Sequence, residues 1–260
     1  MAAILLDVDG VLHVSGSPIP GAVDAVKRLR AAGHRIRFVT NSTVMSRAEL
    51  GNQLRGMGFA IDDDELQTTG GVAARVLAGK RVLALTMPAI VEDLAGLELV
   101  GEGAEAVLLG GADESFETNR VFSYYNLARA FAELQDGAEL YCLHKNRWWQ
   151  TSRGALLDAG AFVAGLEYAA EMDATVLGKP SAAYFAAALD VLDYEPQQTW
   201  MVGDDVEADI AGAAAFGLRT VLVRTGKFHE EALEESTVKP DGVIDSIAAL
   251  PDWLESASQA

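Results

Sequence analysis

Two carboxylates lie two residues apart near the start of the chain, where an apolar run ends. Asp7 and Asp9 follow Leu5 and Leu6, and Gly10 comes directly after them. Side chains alternate along a strand, so both acids are expected to leave the same face of its carboxyl end, where glycine lets the backbone turn away. Two acids this close repel each other unless a cation or a shared proton lies between them. The segment alone fits either a pair of solvated acids or a catalytic pair.

Two further segments end apolar strands with groups that suit phosphate. Residues 35–39 have the β-branched and aromatic side chains of a strand, and Thr40 and Asn41 follow with a hydroxyl and an amide. Lys179 comes after a short apolar strand at 175–177 and precedes a proline that can open a helix at its first turn. These residues repeat the arrangement of the first strand.

A fourth segment, residues 199–203, ends in Asp204 and Asp205, and Asp209 follows within the next predicted helix. Ligands of an open parallel sheet bind in the crevice at the carboxyl ends of its strands. The sequence therefore predicts an acid, a hydroxyl, a lysine and a second acid at one edge of a sheet.

Strands and helices alternate along the chain, which predicts an α/β fold with a doubly wound parallel, Rossmann-like core. A helix with an apolar stripe of Val23, Val26 and Leu29 follows the first strand, and Leu50 and Leu54 face inward on the next helix. A second series begins near residue 81, with a strand at 82–85, a helix after Pro88, strands near Leu97 and Val107, a long helix over 119–134 and a strand around Tyr141. We expect a catalytic core at 1–79 and 177–260 and an inserted α/β cap domain at 80–176.

In order, the segments DVDGV, VTNST, GKP and GDDVEAD resemble the four signature motifs of the haloacid dehalogenase-like superfamily, which is mostly phosphatases. The long insert between the second and third motifs is similar to the subgroup with a large α/β cap, which includes 4-nitrophenylphosphatase-like and N-acetylglucosamine-operon phosphatase-like enzymes. Residues 46–50, 160–169 and 224–228 resemble phospholysine phosphohistidine inorganic pyrophosphate phosphatase-like proteins.

The resemblance implies a phosphatase that works through an aspartyl-phosphate. Asp7 is then the nucleophile, and Asp9 protonates the leaving oxygen and later takes a proton from water. The family pattern also implies Mg²⁺, held by Asp7, the backbone carbonyl of Asp9 and Asp204.

By the same resemblance, Thr40 and the Asn41 amide bind phosphate oxygens, and Lys179 neutralises charge on the nucleophile and the transferring group. One of Asp205 and Asp209 orients metal-bound water or Lys179, and the other is an acid at a helix N-terminus. The sequence leaves open which acid has which role.

Composition limits the partners of this 260-residue chain. Its formal net charge of -18 matches a nucleic-acid backbone poorly, and it would repel anionic phosphates unless a divalent cation reverses the local field. A single cysteine, Cys142, excludes an internal disulfide and is expected to be buried in a strand. With no signal peptide or spanning segment in the sequence, we expect a cytoplasmic protein with a small phosphorylated substrate and neither nucleic acid nor membrane as partner. Relatives that pair through their caps are the basis for expecting a homodimer.

The substrate cannot be read from the motifs, since in this subgroup the cap supplies the selecting residues. Candidates are Asn126, His144, Lys145, Asn146 and Arg147. His144 has no paired carboxylate in the sequence and is expected to face a cleft or solvent. Two other functions use the same kind of site: a phosphotransferase or phosphomutase, and a phospho-accepting regulatory or scaffold protein.

Overall fold

The computed structural model describes residues 1–113, 117–151 and 154–257, and of residues 149–151 it describes the backbone only. Its contacts divide the chain into two compact units, which we call the core unit and the inserted unit. The core unit comprises Met1–Thr40, Ala48–Gln67 and Lys179–Ala260, and the inserted unit comprises Asn41–Arg47 and Thr68–Gly178. Each unit contains its own parallel sheet. The predicted fold class, a doubly wound α/β core with an inserted α/β domain, is confirmed.

The core sheet has six strands, and the first strand of the chain lies inside it. Ala3–Asp7 pairs in parallel with Arg35–Val39 on one side and with Thr199–Gly203 on the other. The spatial order is Gly242–Ile244, Arg219–Val223, Thr199–Gly203, Ala3–Asp7, Arg35–Val39 and Leu66–Gln67. All pairings are parallel, so the carboxyl ends of these strands meet at one edge. Their near-continuous burial is typical of a sheet covered on both faces.

Helices and short turns complete the core unit. The α-helices are Ala22–Ala31, Arg47–Gly56, Ala182–Leu192, Gly212–Phe216, Glu230–Glu235 and Leu250–Ala257, with a π-helix at Val206–Ala211. The 3-10 turns are Asp63–Glu65, Pro196–Gln198 and Ile247–Ala249, and a small antiparallel hairpin pairs His13–Val14 with Ser17–Pro18. Of the predicted apolar positions, Val26, Leu29, Leu50 and Leu54 are buried, and Val23 is half-buried.

The helix after Lys179 begins later than predicted. Ser181 is its N-cap, and the Ser181 hydroxyl accepts a hydrogen bond from the Tyr184 N–H, so Pro180 lies before the helix and does not open its first turn. A serine satisfies one of the free N–H groups at a helix start, which a proline cannot do.

The inserted unit has a five-stranded parallel sheet in the order Thr175–Val176, Glu139–Cys142, Ala106–Gly110, Arg81–Thr86 and Glu98–Leu99. Its helices are Thr69–Val76, Pro88–Asp93, Glu117–Val121, Tyr124–Gln135 and Ala159–Ala170. An antiparallel pair, Trp148–Thr151 with Gly154–Leu157, stands apart from the sheet and is not predicted by the sequence pattern. Cys142 is buried in its strand, as predicted.

The predicted long helix over 119–134 is wrong, because two helices occupy this region. Glu117–Val121 ends before Ser123, whose hydroxyl accepts a hydrogen bond from the Asn126 N–H and caps the helix Tyr124–Gln135. The apolar pattern continues through the break, while the serine cap sets the boundary. Across the described ranges, no helix has the length and hydropathy to span a bilayer.

Candidate active site

Four buried polar side chains meet at the carboxyl edge of the core sheet. Asp7 ends the central strand, and Asp204 directly follows Thr199–Gly203. The Lys179 Nζ lies 2.6 Å from the Asp7 carboxylate and 2.7 Å from the Asp209 carboxylate. None of the four is more than 6% exposed. Residues far apart in the chain therefore form one compact charged cluster.

The Asp209 carboxylate reaches this cluster from a π-helix, Val206–Ala211. The Ile210 N–H donates to the Asp205 carbonyl oxygen over 3.3 Å, an i to i−5 bond that widens the turn. The Asp209 carboxylate also accepts the Asp205 N–H at 3.2 Å. A Cβ at Gly203 would overlap the Asp209 carboxylate, so glycine leaves the space that this acid occupies.

Asp205, the neighbouring acid, has a different role in the geometry. One of its carboxylate oxygens accepts the N–H groups of Glu207 and Ala208 at 3.0 and 2.9 Å. The other lies 3.9 Å from the Lys227 Nζ. Of the two acids that the sequence could not separate, Asp209 contacts Lys179 and Asp205 caps the helix.

A loop after the strand Arg219–Val223 holds the Asp204 carboxylate in place. The Lys227 N–H donates to the Asp204 Oδ2 over 2.6 Å, and the Thr225 hydroxyl donates to the Gly10 carbonyl. Gly10 and Gly226 both have positive φ, and a Cβ on either would overlap the Asp204 carboxylate. The segments that begin at Gly10 and Thr225 therefore enclose this acid.

The cluster carries more negative than positive charge. Burial raises the pKa of Asp7 well above its usual value, with Asp209 and Asp204 adding to this effect and Lys179 opposing it. Burial and the nearby Asp209 raise the pKa of Asp204 to about 6. Burial alone would lower the pKa of Lys179, but Asp209 and Asp7 more than offset it, so the ammonium stays charged. A further cation beside Asp7 and Asp204 would lower the pKa of both acids.

The acids fit a hard divalent cation. Asp7, Asp204 and Asp209 each offer a carboxylate oxygen, and these three atoms lie within 4.8 Å of one another. In the part of the chain that the structure describes, no other group of three or more His, Cys, Asp or Glu residues has this spacing. An all-oxygen donor set suits magnesium or calcium better than zinc or copper.

Asp9 lies outside this cluster. The expectation that Asp7 and Asp9 leave the same face of the strand is wrong, because the strand ends at Asp7. The Asp9 carboxylate is 56% exposed, while that of Asp7 is buried. The Asp9 Oδ1 lies 3.8 Å from Nε2 of the buried His13, and neither ring nitrogen of His13 has a hydrogen-bond partner among the described residues. Sequence reasoning did not single out His13, because only the turn at Gly10 brings it back to Asp9.

Thr40 follows the strand Arg35–Val39 in the core unit and is buried. Its backbone is bound by the phenol of Tyr184, a residue that carried no signal in the sequence. Asn41 is the first residue of the inserted unit, where its amide oxygen lies against Gly178.

His144 differs from the expectation, since its side chain is buried and paired. Its Nε2 lies 3.3 Å from the Thr43 hydroxyl and 3.8 Å from the Asp158 carboxylate. The helix Ala159–Ala170 begins directly after Asp158 and fixes that acid as its N-cap. The expectation of an unpaired ring facing a cleft or solvent is therefore wrong, because the fold supplies a carboxylate from a later segment.

The other four candidates for substrate selection have varied surroundings. The Asn126 amide donates to main-chain carbonyls of the preceding helix. The Lys145 Nζ lies 2.6 Å from the Glu167 carboxylate. Asn146 and Arg147 are exposed. Asn126 and Lys145 thus already have partners within the inserted unit.

Two protein-family models match this chain. Residues 4–100 match the family model described as haloacid dehalogenase-like hydrolase, and residues 176–250 match a second model described as HAD-hydrolase-like. The chain belongs to the haloacid dehalogenase-like hydrolase family.

The relatives narrow the class to phosphatases. The chain is 38% identical to phospholysine phosphohistidine inorganic pyrophosphate phosphatase from Xenopus laevis, over 97% of this chain and 94% of that protein. Its fold matches p-nitrophenyl phosphatase from Archaeoglobus fulgidus with a TM-score of 0.89 and 28% identity, covering 97% and 98% of the two chains. A glycerol phosphate phosphatase, Rv1692 from Mycobacterium tuberculosis, solved with magnesium, has a TM-score of 0.83 and 28% identity over 96% of this chain and 76% of that one. The protein is a phosphatase. The family resemblance that its four motifs predicted is confirmed.

Proposed function

We propose that the protein is a Mg²⁺-dependent phosphatase that hydrolyses a small phosphorylated metabolite through an aspartyl-phosphate on Asp7. The observation that supports this most is the buried cluster, in which the Asp7 carboxylate contacts Lys179 beside Asp204 and Asp209. A buried carboxylate held against a fixed cation is suited to attack a bound phosphorus atom.

In the first half-reaction, a carboxylate oxygen of Asp7 forms a bond to phosphorus while the bond to the leaving oxygen breaks. Asp9 gives its proton to that oxygen. The position of Asp9 supports this assignment, since its carboxylate is exposed and lies two residues from Asp7, where a leaving group can reach it.

In the second half-reaction, a water molecule attacks the phosphorus of the aspartyl-phosphate and transfers a proton to Asp9. The bond between phosphorus and Asp7 breaks, which releases inorganic phosphate and restores both acids. Lys179 balances charge on Asp7 and on the transferring group throughout, and the Thr40 hydroxyl and Asn41 amide bind phosphate oxygens.

Asp7, Asp204 and the backbone carbonyl of Asp9 are the groups that we assign to Mg²⁺, with Asp209 acting through Lys179 and Asp205 as a helix cap. When bound, the cation supplies positive charge that offsets the excess of acids and draws the phosphate into the site.

The net charge of -18 supports a small substrate over a nucleic acid, because a strongly acidic surface repels a polyanion. The names of the relatives cover phosphoramidate, anhydride and ester bonds. All three bond types therefore belong in the test.

The experiment is a phosphate-release screen over sugar phosphates, glycerol phosphate, nucleotides, pyrophosphate and phosphoramidates, with Mg²⁺ or with EDTA. We expect release of phosphate into water with Mg²⁺ and loss of turnover in Asp7→Asn with the fold intact. Retention of a tenth of the rate in this variant would contradict a nucleophilic Asp7. Transfer of phosphate to an alcohol would indicate a phosphotransferase, and a stable stoichiometric adduct would indicate a phospho-accepting regulatory protein.

A further inference from the structure

The hydroxyl of Tyr184 lies where the strands Arg35–Val39 and Leu66–Gln67 end. The Tyr184 side chain is fully buried, and its oxygen lies 2.8 Å from the Thr40 N, 2.9 Å from the Thr40 carbonyl oxygen and 3.0 Å from the Gln67 carbonyl oxygen. A phenol can donate one hydrogen and accept another, so it both accepts the Thr40 N–H and donates toward the two carbonyls.

A second set of hydrogen bonds fixes Tyr184 itself. The Gln67 amide donates to the Tyr184 carbonyl at 2.8 Å, and the Arg37 Nε donates to the Gln67 Oε1 at 3.1 Å. Arg37 and Gln67 are both buried, with 8% and 4% exposure. Burial also raises the pKa of the Tyr184 phenol above its usual value, so the hydroxyl keeps its proton and remains a donor.

Tyr184 belongs to the first turn of the helix Ala182–Leu192, which begins just after Lys179. Its hydroxyl therefore joins the backbone of Thr40 directly to the helix that follows Lys179. Packing alone does not require this oxygen, since a phenylalanine would fill nearly the same space.

We propose that the Tyr184 hydroxyl is a positioning group for phosphate binding, which holds Thr40 at a fixed distance from Lys179 and so sets the affinity of the site for the phosphoryl group. This inference rests on the proposed function, because it takes Thr40 and Lys179 as the groups that bind phosphate. Tyr184 acts through Thr40 and makes no contact with the substrate.

The test compares wild type with Tyr184→Phe in the full-length protein with saturating Mg²⁺. Inorganic phosphate is the binding probe, measured by calorimetry and as an inhibitor, and p-nitrophenyl phosphate is the substrate probe. We expect the Kd for phosphate and the KM to rise about five- to tenfold, the effect of losing roughly one buried hydrogen bond. The kcat should change less than twofold.

Thr199→Val is the matched control. Thr199 is fully buried in the core unit, and its hydroxyl donates to the Glu195 carbonyl at 3.0 Å, but it lies at the amino end of its strand, away from the site. Thr199→Val should lower the unfolding temperature to a degree similar to Tyr184→Phe and leave the affinity for phosphate unchanged. Equal phosphate affinity in wild type and Tyr184→Phe, with both variants destabilised alike, would show that the hydroxyl only supports packing.

Gln67→Met keeps the phenol but removes the amide that binds the Tyr184 backbone, so it should weaken phosphate binding about two- to threefold, less than Tyr184→Phe. A larger loss in Gln67→Met would place the control of Thr40 elsewhere and overturn the inference. If wild type neither binds phosphate nor releases it from any substrate, the proposed function itself fails. If wild type does both and Tyr184→Phe behaves identically, only the positioning role fails.

Discussion

Ionisation of Asp204 should lower the stability of the metal-free protein as the pH rises. The buried acid has a pKa of about 6, against 3.8 for the ordinary side chain. Between these values the unfolded chain has released the proton while the folded protein still holds it, so the free energy of unfolding falls with pH. Above about pH 6 both states are ionised, and this contribution becomes constant.

The size of the effect follows from the difference of about two pKa units, each of which is about 1.4 kcal/mol. Ionisation of Asp204 should therefore lower the free energy of unfolding by about 3 kcal/mol between about pH 4 and about pH 7, and ionisation of Asp7 acts in the same direction. For a protein of this size, that is a decrease of roughly 6 to 12 °C in the unfolding temperature. Added Mg²⁺ should recover most of it near neutral pH, because the cation stabilises the ionised acids.

Thermal unfolding in EDTA and in Mg²⁺, recorded in half-unit steps of pH, measures this directly. Asp204→Asn has no proton to release at this position, so it should lose this contribution and keep the one from Asp7, and it should respond less to Mg²⁺. Asp24→Asn, at an exposed position on the first helix, is the control and should follow wild type. Wild type that becomes more stable with rising pH in EDTA, or that matches Asp204→Asn throughout, would refute the reasoning.

Three substitutions test other parts of the site. Asp9→Asn should slow the hydrolysis of alkyl phosphates by about a hundredfold or more, because their basic leaving groups need a proton. Hydrolysis of activated aryl phosphates should slow much less. Equal losses on both substrates in steady-state assays would contradict proton donation by Asp9. Lys179→Met leaves Asp7 and Asp209 buried without their cation, so urea unfolding at pH 7 in EDTA should show a loss of about 3 to 5 kcal/mol, together with loss of turnover. Stability close to that of wild type would contradict the stabilising role of the lysine. Gly226→Ala places a Cβ against the Asp204 carboxylate and should weaken Mg²⁺ binding at least about tenfold in calorimetry. Gly79→Ala is the control: Gly79 also has a positive φ but has open space around it, so this variant should bind Mg²⁺ like wild type.

The sequence predicts the polar carboxyl edge of the core sheet well because local patterns determine it. Asp7, Thr40, Lys179 and Asp204 each follow an apolar strand, and parallel strands bring their carboxyl ends to one edge. The structure places Asp7, Lys179 and Asp204 in one cluster, and Thr40 lies at the end of the neighbouring strand. These features need only the strand pattern and the polar residue that ends it.

Other features depend on tertiary contacts or on unusual local geometry. A π-helix decides that Asp209 and not Asp205 reaches Lys179, and no residue pattern distinguishes it from an ordinary helix start. The carboxylate next to His144 comes from Asp158, in a segment that folds back on the histidine. In the sequence, Tyr184 cannot be distinguished from the other apolar positions of its helix, although its hydroxyl binds Thr40. Such pairings appear only when residues that are distant in the chain are placed together.

The central position of Ala3–Asp7 also determines when the enzyme can become active during translation. The ribosome makes Asp7 early, yet Lys179 is 172 residues further along, and the neighbouring strand Thr199–Gly203 follows later still. The strands of the second sheet, from Arg81–Thr86 to Thr175–Val176, are complete before either has been synthesised. A nascent chain that has reached residue 178 therefore holds every strand of the inserted unit but only one of the two neighbours of its first strand. It gains the acid cluster only near the end of synthesis.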